Sequence, residues 1–300
     1  MPRASDPRLL ARLARLELRA RTAVEGLQGG RHQSRARGSS ATFAQHREYV
    51  PGDDLRRLDW KLLARTDRPI VREYEEETSL TLWVVLDVSR SMTFADQEWS
   101  KLDYATWAAA ALTRLAADQQ DRFGVFLARG EDAEPLLPAG SGEGHWAETV
   151  AALEAVEPGG VGDPGLGLER AAGLLERRGI VVWLSDALGP PESAARAVAR
   201  LRHRGHDPIV LRVLDPAEVH FPYRRITQFE DLEGEDRLRL DPRAVRDAYL
   251  AEFEAHAREL RRRLRQAGCE FRRLETDEAL EVGLVEFLSR RSARLRSIGR

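Results

Sequence analysis

Cysteine is nearly absent. Cys269 stands alone among 300 residues, which excludes an internal disulfide framework and a cysteine-cluster metal site. Long apolar runs are missing too. Residues 80–86 (LTLWVVL) form the best one, the length of a strand and far short of the ~20 residues of a membrane span. The arginine-rich start lacks the apolar stretch and cleavage site of a secretory leader, so the expectation is a soluble, cytoplasmic chain. Lysine is scarce: the 47 basic residues include only Lys61 and Lys101, as a GC-rich coding bias would give. Several enzyme signatures are absent as well. No G-x-x-x-x-G-K-[ST] is present, no G-x-G-x-x-G follows the first strand, and there is no G-x-S-x-G. A P-loop ATPase, a dinucleotide-binding enzyme and an α/β-hydrolase are thereby disfavoured. The seven histidines are scattered. His203 and His206 are three apart, but their helix should stop near Gly205, so a zinc pair is not expected.

What is present is a globular composition, 42% hydrophobic and 32% charged, enough for one large domain or two small ones at roughly 100–200 residues each. The formal net charge of -2 gives no support for nucleic-acid binding. The charge is uneven. Residues 1–50 hold 10 basic and 4 acidic residues, whereas residues 81–240 hold 17 and 26. A basic arm beside an acidic body suits either an external contact or an internal pairing.

Along the chain, Asp6 and Pro7 open a leucine-periodic helix that ends near Gly29-Gly30. A polar basic loop follows to residue 42. Residues 43–78 crowd aromatic, acidic and basic side chains around a turn at Pro51-Gly52-Asp53-Asp54, and residues 70–76 read as an edge strand. From residue 79 to 290, strand and helix patterns alternate. Strands are expected at 80–86, 122–128, near 135–137, at 179–185, 208–214 and 269–274. Helices are expected at 101–118, 145–156, 165–177, 191–204, 242–267 and 278–290. Residues 215–240 read as an irregular insert with short strands, and 291–300 as a tail. This alternation predicts an α/β fold, a doubly wound and mostly parallel sheet with helices on both faces.

Ligands of such sheets sit beyond the carboxyl ends of the strands. There the first buried strand ends in Asp87-Val88-Ser89-Arg90-Ser91, and the strand at 179–185 ends in Ser185-Asp186. If the two strands are neighbours, Asp87, Ser89, Ser91 and Asp186 face one point. Carboxylates and hydroxyls are hard oxygen ligands that suit Mg²⁺. The same residues also suit a plainer role, with the serines capping the turn and Asp186 the next helix. An aspartyl-phosphate phosphatase would want a second acid two residues after Asp87, where Ser89 stands. A metal-dependent phosphohydrolase using Asp87 is therefore the alternative reading. Cys269 reads as core. The arginines around 258–265 read as a solvated helix face offset by Glu252, Glu254 and Glu259.

The D-x-S-x-S run resembles the metal-ion-dependent adhesion site of von Willebrand factor A domains. The segment R-E-Y-V-P-G-D-D-L-R-R-L-D-W over residues 47–60, with Ala64-Arg65 and Glu75-Glu76-Glu77, resembles the signature of the bacterial "domain of unknown function 58" family, which joins this block to a von Willebrand A-like domain. The resemblance covers roughly residues 25–290. It implies a non-catalytic protein–protein interaction module acting with a MoxR-type AAA+ ATPase or its client in assembly or chaperone-like work. It also implies a Mg²⁺ or Mn²⁺ ion held by Asp87, Ser89, Ser91 and Asp186, with one position open to a partner's carboxylate. The threonine that such sites carry in a glycine-rich second loop is replaced here by Val161, so Asp163 would have to stand in. Without it, a metal-free scaffold remains. The 47–60 block, with Arg47, Tyr49, Asp53, Asp54, Arg56, Asp59 and Trp60, reads as a partner surface or as ion pairs that pin the segment to the domain.

Overall fold

The computed structural model describes residues 43–49, 62, 63, 65, 69–74, 81–96, 98–234 and 236–284. The expected N-terminal helix and basic loop, most of the 47–60 block and the tail lie outside the described residues. The chain divides into two compact units: one lies within Arg35–Ser79, and the other holds the described residues from Thr81 onward.

In the first unit, β1 (Phe43–Glu48) pairs antiparallel with β2 (Ile70–Tyr74). The Tyr49 amide extends the pairing by donating to the Pro69 carbonyl at 2.9 Å.

The second unit runs β3 (Thr81–Asp87), α1 (Lys101–Asp118), β4 (Phe123–Arg129), β5 (Asp132–Gly140), α2 (Gly142–Glu154), α3 (Pro164–Leu174) and β6 (Gly179–Ser185). It continues with α4 (Pro191–His203), β7 (Asp207–Leu214), α5 (Pro216–His220), β8 (Thr227–Glu230), β9 (Arg237–Leu240), α6 (Pro242–Gln266) and β10 (Glu270–Glu275). Residues 280–284 are again helical. Six strands form one sheet in the order β10-β7-β6-β3-β4-β5. All neighbours are parallel except β5, which runs antiparallel at the edge. The fold class is therefore α/β, mostly parallel, with helices on both faces.

Strand side chains point alternately to the two faces, and the central strands are apolar at nearly every position, so each face carries its own core. Val84, Leu86, Val125, Leu127, Val182 and Leu184 face α1 and α2, meeting Ala105, Ala108, Ala109, Leu112, Trp146 and Leu153. Trp83, Val85, Phe126, Val181, Trp183 and Val210 face α3, α4 and α6, meeting Leu168, Ala197, Leu201, Leu260 and Leu264. The alanines of α1 let its backbone lie close to the sheet. Its start is fixed by a capping box in which Ser100 and Asp103 satisfy each other's amides. Cys269 lies in the second core, as expected. Burial pushes its thiol up to about 12, so it stays protonated and unreactive.

Two expectations need correction. The short strand near 135–137 is the nine-residue β5. Its Pro135 and Pro138 obscure it in the sequence, but an edge strand tolerates proline because one side of its backbone has no partner to supply. The insert at 215–240 has the short strands expected of it, β8 and β9, paired as an antiparallel hairpin, but it opens with the short helix α5, which was not expected.

This topology positions the site. The helix that follows β3 packs on one face and the helix that follows β6 on the other, yet β3 and β6 are adjacent and parallel. The chain switches direction between them, and the crevice beyond their carboxyl ends is where such sheets place their chemistry.

Candidate functional site

β3 delivers Asp87 to this crevice and β6 delivers Ser185 and Asp186; all three are fully buried. Asp87 is held from two sides. Its Oδ1 accepts from the Ser89 amide at 2.9 Å and its Oδ2 from the Ser185 hydroxyl at 2.6 Å. Burial, and then the charge of Asp186, push its carboxyl up to about 6, against the pull of these hydrogen bonds. Ser89 is buried, and its Oγ lies 3.1 Å from that of the half-buried Ser91. The structure thus places Asp87, Ser89, Ser91 and Asp186 at the carboxyl ends of the adjacent strands β3 and β6.

The glycine-rich loop closes over the same edge. The Gly159 amide donates to the Val88 carbonyl at 2.7 Å, and the Arg90 amide to that of Gly160 at 3.2 Å. Gly160 and Gly162 take φ values of 89° and 112°, a region that side chains disfavour. Val161, at the threonine position of the resemblance, is 48% exposed and offers no ligand atom. Asp163 caps α3: its Oδ1 accepts from the Gly165 amide and from the Ser193 hydroxyl, both at 2.8 Å. That oxygen ties the loop to α4.

The sequence reading missed Lys101. It is the first residue of α1 and fully buried. Its Nζ donates to Asp186 Oδ2 at 2.8 Å and to Glu218 Oε1 at 2.6 Å. Burial alone would lower its pKa, but the two carboxylates hold it above the ordinary lysine value, so it is an ammonium. Glu218 comes from α5, whose D-P-A-E start is a capping box: Glu218 Oε2 accepts from the Asp215 amide at 3.0 Å while Asp215 Oδ1 accepts from that of Ala217 at 2.8 Å. Asp215 Oδ2 also accepts from the Asp96 amide at 3.1 Å.

A second buried cation, Arg212 of β7, was also missed. Its Nε donates to the Asp186 carbonyl at 2.7 Å, and its guanidinium lies 5.3 Å from the centre of the Phe253 ring. Burial pushes its pKa down to about 10, with Asp186 and Glu218 opposing. The signals available in the sequence were the capping-box pattern of residues 215–218 and the position of one of only two lysines at the head of an apolar helix.

An octahedral divalent ion needs several free oxygen donors. Here Asp186 carries an ammonium, both oxygens of Asp87 are hydrogen-bonded, the second-loop hydroxyl is replaced by Val161, and one Asp163 oxygen caps a helix. In this arrangement the residues do not fit a resident Mg²⁺ or Mn²⁺. Of the other candidates, Arg47 lies in β1 and Tyr49 directly follows it. Asp53, Asp54, Arg56, Asp59 and Trp60 lie outside the described residues. Among the described residues, no helix is long and apolar enough to cross a membrane.

Comparison with known proteins agrees with the resemblance. Uncharacterized proteins of Mycobacterium tuberculosis and Mycobacterium bovis are each 32% identical over 293 residues, 95% of this chain and 90% of theirs. Among solved structures, BatB from Bacteroides thetaiotaomicron is similar at a TM-score of 0.47 and 17% identity, over 71% of this chain and 99% of that one. The SpRpn10 VWA domain is similar at 0.41 and 9%, over 68% and 93%. The strand order and the helices on both faces carry the fold assignment by themselves. Residues 45–259 match the family described as "Protein of unknown function DUF58", and on that match, which spans most of the sequence, the chain belongs to this family.

Proposed function

We propose that this chain is a non-catalytic protein–protein interaction module whose working surface is the set of loops at the β3–β6 switch point. One observation carries the reading. The polar floor of the crevice is buried and internally hydrogen-bonded, while the loops around it expose Arg90, Val161 (48%) and Leu188 (40%). Charge and apolar surface side by side, over a rigid floor, suit a protein partner. They do not suit catalysis. Asp87 has no second acid two residues on, and both its oxygens are occupied, so a phosphohydrolase would lack a free nucleophile and a general acid.

The family resemblance supplies the partner in this proposal, a MoxR-type AAA+ ATPase or its client. It also supplies a finer version, a Mg²⁺- or Mn²⁺-bridged contact to a partner's carboxylate. Lys101 and Val161 weigh against the bridge, and the metal-free contact is the version we carry.

The test is binding of the purified chain to a MoxR-type ATPase from the same genome, compared with Val161→Glu and Leu188→Glu. Both side chains are exposed, so the substitutions should leave the fold intact. Each should weaken binding about tenfold or more, a cost of ~1.4 kcal/mol. Unchanged affinity in both variants would remove these loops from the interface. Hydrolysis of a phosphoester that disappears in Asp87→Asn would overturn the non-catalytic reading.

A further inference from the structure

We propose that the cavity between the end of α5 and the start of α6 binds a phosphate monoester, a small organic molecule carrying one phosphate group. The cavity measures about 510 Å³, within the usual range of small-ligand pockets. Arg224, Arg243 and Arg246 line it together with His220, and no acidic residue does.

Three features support the assignment. First, the positive charge is largely unmatched. The cavity beside β10 also holds arginines, but there Arg272 pairs with Glu278 at 3.6 Å and Arg273 with Glu275 at 2.7 Å. Here Arg224 and Arg246 form no ion pair among the described residues, and Arg243 has only Asp241, at 3.9 Å. Like charges around one cavity repel, and an anion relieves that cost. Arg243 also stands in the first turn of α6, where the helix dipole disfavours a cation and favours an anion.

Second, two of the arginines are fixed in place without being neutralised. Arg243 Nε and Nη2 both donate to the Arg224 carbonyl, at 3.1 and 3.0 Å. Arg246 Nε donates to the Phe221 carbonyl at 3.3 Å and its Nη2 to that of His220 at 2.9 Å. A guanidinium has five N–H donors, so each keeps three for a ligand. Its planar fork matches phosphate oxygens, and anchoring it beforehand lowers the ordering cost of binding.

Third, the floor is strained and rigid. Phe221 takes φ 45° and ψ 65°, a left-handed conformation uncommon for a bulky residue. Its ring centre lies 4.6 Å from that of Tyr249, 5.2 Å from Tyr223 and 5.7 Å from Phe229. Strain that packing holds in this way clusters at ligand clamps. The exposed Pro222 and half-buried Tyr223 give the organic part of the ligand an apolar wall.

This site goes beyond the interaction reading and stands without it, since the Val161 and Leu188 variants judge partner binding alone. The experiment is calorimetric titration of the full chain, in phosphate-free buffer, with phenyl phosphate and with inorganic phosphate. Wild type should bind phenyl phosphate saturably, about tenfold or more tightly than inorganic phosphate. Arg243→Gln and Arg246→Gln should each weaken binding about tenfold or more. Arg196→Gln, on the exposed side of α4, should leave it unchanged. Arg224 gives only its backbone carbonyl to the anchoring, so Arg224→Gln carries the same test where the other variants do not fold. Absence of saturable binding at millimolar phenyl phosphate overturns the proposal. So does an equal loss in Arg196→Gln, or affinity that survives the folded arginine variants of the cavity. Equal affinity for the two phosphates overturns the assignment to a monoester.

Discussion

Replacing Lys101 with alanine in metal-free buffer should cost about 3–5 kcal/mol of unfolding free energy, the usual penalty for removing one member of a buried ion pair. The loss comes less from the missing attraction than from what stays behind. Asp186 and Glu218, with side chains only 1% and 12% exposed, would be left buried without their shared partner, beside a third buried carboxylate at Asp87. For a unit of this size the melting temperature should fall by roughly 6–20 °C, at about 2–4 °C per kcal/mol. Urea unfolding followed by circular dichroism measures both. A control separates charge from packing: replacing Lys101, Asp186 and Glu218 together by apolar residues of similar volume should recover much of the loss, since buried ion pairs are often matched by hydrophobic substitutes. A single-variant loss below about 1 kcal/mol, the range of exposed pairs, would show that water reaches the trio and that it is not the fixed floor described above.

Trp146→Ala should cost a similar amount, about 3–5 kcal/mol, through a cavity instead of a charge. Trp146 lies on α2 and is 2% exposed in the apolar layer shared with α1. Its indole N–H donates to the Ala110 carbonyl at 3.2 Å, and the Arg114 guanidinium lies over its ring at 4.8 Å. Around it α1 offers mainly alanines, which are too short to fill the space left by an indole. The loss should appear in denaturant unfolding, with Trp146→Phe costing visibly less. Equal losses in the two variants would mean that the hydrogen bond, and not the packed volume, holds α2 in place. The two predictions are linked, because α1 carries Lys101 at its head: the apolar layer seats the helix whose first residue neutralises the crevice.

The central strands and the meeting of Asp87 with Asp186 were legible because they depend on local pattern. Continuous apolar runs such as 80–86 and 179–185 announce strands buried on both faces, and once those strands are neighbours their terminal acids must converge. β5 was hard to read because an edge strand is free to carry prolines, the residues that ordinarily signal its absence. α5 was hidden because five residues are too few to show a helical period, although its capping pattern was present. Lys101 stood out only as one of two lysines, at the head of an apolar helix; its pairing was hidden for a different reason. Its partners lie 85 and 117 positions away, and no periodicity in α1 separates a lysine that faces inward, toward two acids, from one that faces solvent.

That separation bears on the time course of folding. The ammonium can join Asp186 and Glu218 only after α1, β6 and α5 have reached their places, so the contact closes late, when most of the chain's long-range loops are already formed. Interactions absent from the transition state act on the escape rate from the native state. Loss of Lys101 should therefore quicken unfolding while leaving refolding nearly as fast as before. In that sense the trio works as a latch, which does little to guide the chain into its fold and a great deal to keep it there.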